Sequence, residues 1–238
     1  MTINSLGDMS QMLLLRRQQT ALKVEMQGLS GELTTGLARD TAAHLGGNLA
    51  ALAGIETSLT RIGAFRTATM QIALTAQGMQ AALNTIGGLA SDLGPQLLTA
   101  ASGSGQQSVD ALGVDARQRF STAISTLNSR IGDRGIFAGV ATDGTAVVAP
   151  DDILAALGAA TAGLTSAAEI KAAVSGWFDD PAGYETVAYS GGGGLGAVAV
   201  APNETATLSV TANDPAIREV LKGLAMAALL DTGALAGN

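Results

Sequence analysis

The chain of 238 residues contains no cysteine and a single histidine. Without thiols there is no disulfide scaffold, no thiolate zinc cluster and no cysteine nucleophile. Aromatic residues are scarce too, at 3%. A core with few large rings must bring backbones close together, which suits helices packed side by side better than stacked sheets. Positive charge is also short. Thirteen Lys and Arg stand against 20 Asp and Glu, a net charge of −7 with a pI near 4.6. That balance excludes a surface built to grip nucleic acid. The start, Met1-Thr2-Ile3-Asn4-Ser5-Leu6-Gly7-Asp8, has neither the basic residues nor the apolar run of a secretory signal. The longest charge-free stretch, 67–91, carries Gln71, Gln77, Gln80, Asn84 and four threonines, too polar for membrane insertion.

Small residues are what the chain has in plenty. Alanine supplies 45 residues and glycine 31, so most of the 47% hydrophobic content is small side chains. Charge is unevenly spread. Residues 1–140 carry ten Lys and Arg against nine Asp and Glu, whereas residues 141–238 carry three against eleven. A neutral part can associate with copies of itself without repulsion, and an acidic part suits exposure to water. The split predicts a polymer subunit with a buried end and an exposed end.

Periodicity supplies the helices. Met12, Leu15, Gln19, Leu22, Met26, Leu29 and Leu33 recur at alternating spacings of three and four, a heptad seam with Arg16, Arg17, Lys23 and Glu25 off it. Thr34-Thr35-Gly36 ends this helix, with Gly36 as a left-handed cap. A second, longer helix begins near Asn48. Its seam runs through Leu52, Ile55, Leu59 and Ile62, slips by one residue, and resumes at Phe65, Thr69, Ile72, Ala76, Met79, Leu83, Ile86, Ala90 and Leu93. Gly94-Pro95 is expected to kink or stop it. Residues 102–105 read as a turn. A third helix returns from about Gln106 to Ile131, with Leu112, Ala116, Phe120, Ile124, Leu127 and Ile131 on its apolar face. Glycines 54, 63, 78, 87 and 88 each cost such helices about 1 kcal/mol against alanine, so packing must supply the helicity.

Beyond Ile136 the pattern changes. Asp151 or Asp152 is expected to cap a short helix bearing Ile153, Leu154 and Leu157. Ser166-x-x-Glu169 is a capping box for another, with Ile170, Val174 and Trp177 on one side. Strand-like runs follow at Glu185–Tyr189, Leu195–Val200 and Thr205–Val210. Asp214 then caps a last helix with Pro215 in its first turn and Ile217, Leu221, Leu224 and Ala228 on its apolar face. The first helix has a full seam and no partner legible in the chain, and alone in water such a helix is marginal.

Several motifs resemble chemistry and reduce to structure. Gly191, Gly193 and Gly196 match a dinucleotide fingerprint by letter, but a strand rather than a helix follows, so they read as a glycine-rich hairpin. The pairs Asp151-Asp152 and Asp179-Asp180 read as caps and turns. His44 has no second nitrogen or sulfur ligand beside it. Asn203-Glu204-Thr205 fits a glycosylation sequon that matters only in a suitable compartment. No nucleophile, base and orienting group assemble. The sequence therefore predicts no enzyme, no cofactor, no metal and no catalytic residue.

Three stretches in order carry a family resemblance. Leu33-Thr34-Thr35-Gly36-Leu37-Ala38-Arg39 resembles the turn after the first helix of the bacterial flagellin-related proteins, and Asp115-Ala116-Arg117-Gln118-Arg119-Phe120 through Leu127-Asn128 resembles their return helix. Gly135-Ile136-Phe137-Ala138-Gly139-Val140-Ala141-Thr142-Asp143-Gly144 resembles the Phe-Ala-Gly hinge into the outer domain of the hook-associated junction branch of that family. Two features depart from the pattern. Asp40-Thr41-Ala42-Ala43-His44 stands where an acidic-proline signature is expected, and the long C-terminal helix of the family is only begun here. The expectation is a truncated form, with residues 1 to about 40 poorly held in isolation.

The resemblance implies a mainly α fold: an elongated antiparallel helical rod, flagellin-like, with a small inserted α/β or β outer domain. Residues 1–43 are then a polymerisation helix and turn, 44–136 the rod, 137–212 the outer domain, and 213–238 the start of the return helix. It implies a structural subunit of the bacterial flagellum that connects hook to filament. Such a subunit leaves the cell through the type III export apparatus without signal cleavage and lies extracellularly. Its implied partners are its own copies in a ring, flagellin, the other hook-associated junction protein and an export chaperone, with no nucleic acid and no membrane insertion. The seam from Met12 to Leu33 becomes the assembly surface, and Phe137, Ala138 and Gly139 the hinge. The alternatives are a flagellin filament subunit and, in another class, a cytoplasmic helical adaptor or secretion-associated binding protein.

Overall fold

A computed structural model describes residues 4–44, 46, 48–103 and 105–232. By internal contact the chain divides into two units, Met1–Arg61 and Ile62–Asn238. The described residues are mostly helical, with two small two-stranded antiparallel sheets. These unit boundaries do not coincide with divisions at 43, 136 and 212.

In the first unit, α1 spans Asn4–Thr35. Gly36 ends it with φ +69° and donates its N–H to the Glu32 carbonyl at 2.7 Å, the left-handed cap its position predicts. A short α2, Thr41–His44, is capped by the Asp40 carboxylate, which accepts from the Ala43 N–H at 2.9 Å. Helix α3 then runs Ala50–Ala101 across the division between the units, with Asn48 Oδ1 accepting from the Ala50 N–H at its start.

Proline 95 does not stop α3. Its ring removes one backbone hydrogen bond and crowds the preceding turn. Leu93 before it is fully buried, however, and Leu97 after it packs on the same core, so burial carries the helix through. The upper seam of α3 is placed as its spacing predicts, with Met79, Ile86 and Leu93 buried.

Helix α4 covers Gln106–Leu127 and buries Leu112, Ala116, Phe120, Ala123, Ile124 and Leu127. It ends four residues earlier than periodicity suggests. The Asn128 carboxamide donates to the Val147 carbonyl at 2.8 Å and accepts the Val147 N–H at 2.9 Å, so the chain leaves the helix there. Ile131 lies instead in a tight hairpin of β1, Arg130–Ile131, and β2, Arg134–Gly135. Its side chain rests on Gly78 of α3, where an added Cβ would come within 2.7 Å of Ile131 Cδ1.

Helices α5, Pro150–Thr161, and α6, Ala167–Asp179, follow. Asp151 and Asp152 do not cap α5; Ala149 holds that position and the aspartates lie in the first turn, where negative charge meets the positive helix end. The α6 capping box forms as predicted. The Ser166 hydroxyl donates to Glu169 Oε2 at 2.7 Å and accepts the Glu169 N–H at 3.2 Å. Those contacts hold the Glu169 carboxyl below its ordinary pKa. The cap's charge-assisted part is therefore complete above the usual glutamate range and is lost as pH falls through the lowered value.

Residues 185–189 are not a strand. Pro181–Ala188 is a wide, π-type helical segment broken at Gly183, and only Tyr189 pairs in extended form, with Val147. The segment wraps around Tyr184, which is fully buried and donates its hydroxyl to the Ala212 carbonyl at 3.0 Å. Tyr184 stacks on Phe178 at 5.4 Å, and Trp177 meets Phe178 edge-on at 5.1 Å. Burial pushes the Tyr184 phenol well above its ordinary pKa. The remaining strands are short: β3, Val198–Ala201, and β4, Glu204–Ala206, turn at Pro202-Asn203 with Asn203 at φ +68°. Their alanine and glycine flanks give little to pack, which limits the ladder.

Helix α7, Pro215–Ala228, starts as its sequence predicts, with the Asp214 carboxylate accepting from the Ala216 N–H at 3.0 Å. Ile217, Leu221, Leu224 and Ala228 are all buried. One continuous core joins the upper part of α3 with α4 to α7 and the segment from Ile136 to Val147. Residues expected to form an outer domain thus share their core with α4 and α7. At Gly113 of α4 an added Cβ would lie 2.8 Å from the Asp231 nitrogen and 3.0 Å from Leu230 Cβ. We predict that Gly113→Ala lowers unfolding free energy by about 1–3 kcal/mol through overpacking. Gly223→Ala, at an open position in α7, should raise it by about 0.5–1 kcal/mol. Urea unfolding followed by the fluorescence of Trp177 measures both, and a gain in stability from Gly113→Ala would contradict the close approach.

Candidate assembly surfaces

The predicted seam lies along α1, and its seven positions are all exposed. Leu15 is 57% exposed and Leu33 89%. The segment after Gly36 folds back on α1 beside this stripe. The Arg39 N–H donates to Glu32 Oε1 at 2.7 Å, and its guanidinium lies against Gly28, where a Cβ would come within 3.2 Å of Nη1. Helix α2 flanks Leu29 without covering it, since Leu29 stays 58% exposed. Met9, Leu13, Leu14 and Val24 widen the exposed apolar surface beyond the seam. Ile55 and Leu59, at the start of α3, are exposed as well. The first unit thus carries a large exposed apolar surface, of the kind that is uncommon on monomeric soluble proteins.

The predicted hinge residues belong to the second unit. Phe137 and Ala138 are completely buried. The Phe137 carbonyl accepts from the Ala212 N–H at 3.0 Å, and the Ala138 carbonyl from the Gly192 N–H at 2.9 Å. Val140 N–H donates to the Gly193 carbonyl at 2.9 Å. Gly139, with φ +60°, passes so close beneath the Gly192–Gly193 segment that a Cβ would clash with the Gly193 carbonyl oxygen. The Tyr189 hydroxyl donates to the Gly192 carbonyl at 2.6 Å and closes the crossing. Phe137, Ala138 and Gly139 are thus a pinned crossing of two chain segments.

The glycine run at 191–194 fixes that crossing and offers no phosphate cradle, since β3 rather than a helix follows it. Gly194, at the base of the β3–β4 hairpin, lies against Ser209, where a Cβ would come within 2.7 Å of the Ser209 carbonyl oxygen. His44 is exposed at the end of α2, and Asn203 is exposed at the hairpin tip. Among the described residues no three His, Asp or Glu converge to hold a metal, and no helix is long and apolar enough to cross a membrane.

Periodicity did not reveal two further features. Arg117 on α4 bridges Asp151 of α5 at 2.9 Å and Asp231 beyond α7 at 3.0 Å. Only their opposite charges hinted at it. A groove of about 660 Å³ also lies between α3 and α4, lined by Gly78, Ala82 and Thr85 on one side and Gln118, Thr122 and Ser125 on the other. Thr85 and Thr122 turn their hydroxyls back to carbonyls four residues earlier, so the walls hold no free reactive group at those positions. No family model, curated protein or solved structure matches the chain.

The two sets of residues should respond oppositely to substitution. Leu22→Glu, on the exposed seam, is expected to leave the unfolding free energy of the second unit within about 0.5 kcal/mol. Phe137→Ala is expected to lower it by about 3–5 kcal/mol through the cavity it leaves. Trp177 belongs to the second unit and reports both in urea titrations. A small loss for Phe137→Ala would mean that the crossing is looser than its hydrogen bonds indicate.

Proposed function

We propose that this chain is a structural subunit of the bacterial flagellum, of the hook-associated junction type, which connects hook to filament. The observation that carries the reading is the exposed apolar seam from Met12 to Leu33 in a chain whose second unit buries its own core. A monomeric protein gains nothing from 22 residues of heptad pattern left in water, whereas a polymer subunit buries them on assembly. The near-neutral charge of residues 1–140 and the acidic remainder support the same division of labour. The three resembling stretches, at Leu33–Arg39, Asp115–Asn128 and Gly135–Gly144, supply the flagellar identity.

In this reading the helices form an antiparallel, flagellin-like rod, and the residues after Ile136 shape the outer surface. The chain has no catalytic role and needs no cofactor. It travels unfolded through the type III export apparatus, guarded by an export chaperone, and takes its place outside the cell in a ring of its own copies between flagellin and the other hook-associated protein. Phe137 to Gly139 then transmit force between two chain segments through backbone hydrogen bonds.

Deletion of the gene, with electron micrographs of the cells and an assay of flagellin in the medium, tests the proposal. Bare hooks with flagellin loose in the medium are expected. Bare hooks with no flagellin band would make the chain the filament subunit instead. Intact filaments would end the flagellar reading and leave a helical adaptor.

A further inference from the structure

The turn of the β3–β4 hairpin holds a residue that bending the chain does not by itself call for. Among the described residues, six glycines adopt the left-handed backbone region, at 36, 46, 103, 132, 139 and 163, and Asn203 is the exception with φ +68°. Glycine enters that region freely, whereas asparagine carries a Cβ into it. In a chain with 31 glycines, an asparagine at this turn has a use other than the bend.

The fold does not consume its side chain. The Asn48 carboxamide starts α3, and that of Asn128 ends α4 by pairing with Val147. The Asn203 carboxamide makes no hydrogen bond among the described residues, and Pro202, Asn203, Glu204 and Thr205 are all exposed. Thr205 is in the same condition. Threonines on the helices, such as Thr69, Thr85 and Thr122, turn their hydroxyls back to carbonyls four residues earlier. A strand offers no such carbonyl. The Thr205 hydroxyl is left unpaired, opposite Ala199, whose methyl group gives it nothing to bond. The hairpin touches α3 before the turn, where the Thr69 hydroxyl donates to the Val200 carbonyl at 3.5 Å, so that contact leaves the tip clear.

The two open side chains stand in the order Asn-x-Thr, with Glu204 rather than proline between them, and this pattern occurs once in the sequence. We propose that Asn203 is a glycosylation site, whose carboxamide nitrogen takes a sugar from a diphosphate-activated donor while the transferase reads the Thr205 hydroxyl. In the transfer, Asn203 Nδ2 bonds to C1 of the sugar as the bond from C1 to the donor's diphosphate breaks. The diphosphate leaves with the electron pair, and Nδ2 gives one of its two protons to a base of the transferase. A nucleoside diphosphate sugar and a lipid-diphosphate-linked oligosaccharide present the same reacting carbon. The attached sugar adds polar bulk on the acidic part of the chain, at a point where nothing packs. The residue modified does not depend on the proposed flagellar role. The donor does, since a chain exported directly is modified before it leaves the cytoplasm, from the nucleoside diphosphate sugar.

Intact-mass spectrometry of the full chain isolated from its own cells tests the site. The chain should be heavier than its sequence by one or more sugar residues, with the addition on the peptide that carries residues 198–206. Asn203→Gly, which suits the positive φ, and Thr205→Ala should each abolish the addition, while Thr205→Ser should keep it. Unchanged urea unfolding reported by Trp177 shows that each variant is folded. A mass equal to that of the unmodified chain overturns the proposal, and so does an addition that survives Asn203→Gly. A single sugar already present on cytoplasmic chain supports the site and the nucleotide donor. An oligosaccharide found only on chain outside the cytoplasm supports the site with the lipid-linked donor and argues against direct export. Intact filaments in the deletion strain remove the flagellar role without touching Asn203.

Discussion

The turn after α7 comes against α4 at a position where α4 has no side chain. At Gly113 the turn after α7 passes with Leu230 and the Asp231 backbone close to the position a Cβ would take. That approach lets Leu221, Leu224, Ala225 and Ala228 bury fully against a face made of Ala116, Phe120 and Ala123. It also brings Asp231 to Arg117, which holds Asp151 of α5 at the same time. These are exposed ion pairs and contribute little by themselves. They fix the direction in which α5 leaves α4 once the apolar surfaces have met. In a chain so poor in aromatic residues, stability comes from closeness of this kind, and glycine at a contact is the means to it.

The second unit repeats that solution elsewhere. Gly78 receives Ile131, Gly139 receives the chain at Gly192–Gly193, and Gly183 lies against the Trp177 carbonyl. Each removes a side chain where two backbones or a backbone and a large residue cross. The few large rings gather at one place, with Trp177, Phe178 and Tyr184 in mutual contact and the Tyr184 hydroxyl satisfied by Ala212. That cluster fills the space which the irregular Pro181–Ala188 segment would otherwise leave open.

Periodicity made the helical faces legible. The buried stripe of α7 and the upper seam of α3 lie where their spacing puts them, and the Ser166–Glu169 and Asp214–Pro215 starts follow local chemistry that short segments carry in full. What could not be read was settled by residues far apart in the chain. Helix α4 ends where it does because Asn128 finds Val147 nineteen positions on. Residues 185–188 have strand-forming composition, yet they belong to a π-type segment around a buried tyrosine, and only Tyr189 is extended. The crossing at Gly139 needed knowledge of Gly193, fifty-four positions later, and nothing within the Phe137–Gly139 stretch announces it. For α1 the difficulty is of another kind. Its spacing names an apolar stripe, and that stripe is exposed, but spacing alone is silent on what covers it.

One residue in that stripe, Gln19, is polar. A seam of leucine and methionine alone would accept any helix of matching pattern, in either direction, because apolar contact is nearly blind to orientation. Gln19 in the middle makes any arrangement that buries its amide against leucine costly. The exposed glycines at 54 and 63, with nothing near them, extend the logic to the start of α3. Each weakens the helix by about 1 kcal/mol relative to alanine and contributes no close packing within the chain. On the proposed reading, low intrinsic helicity and a polar layer serve one end, because both postpone association until several copies are held together.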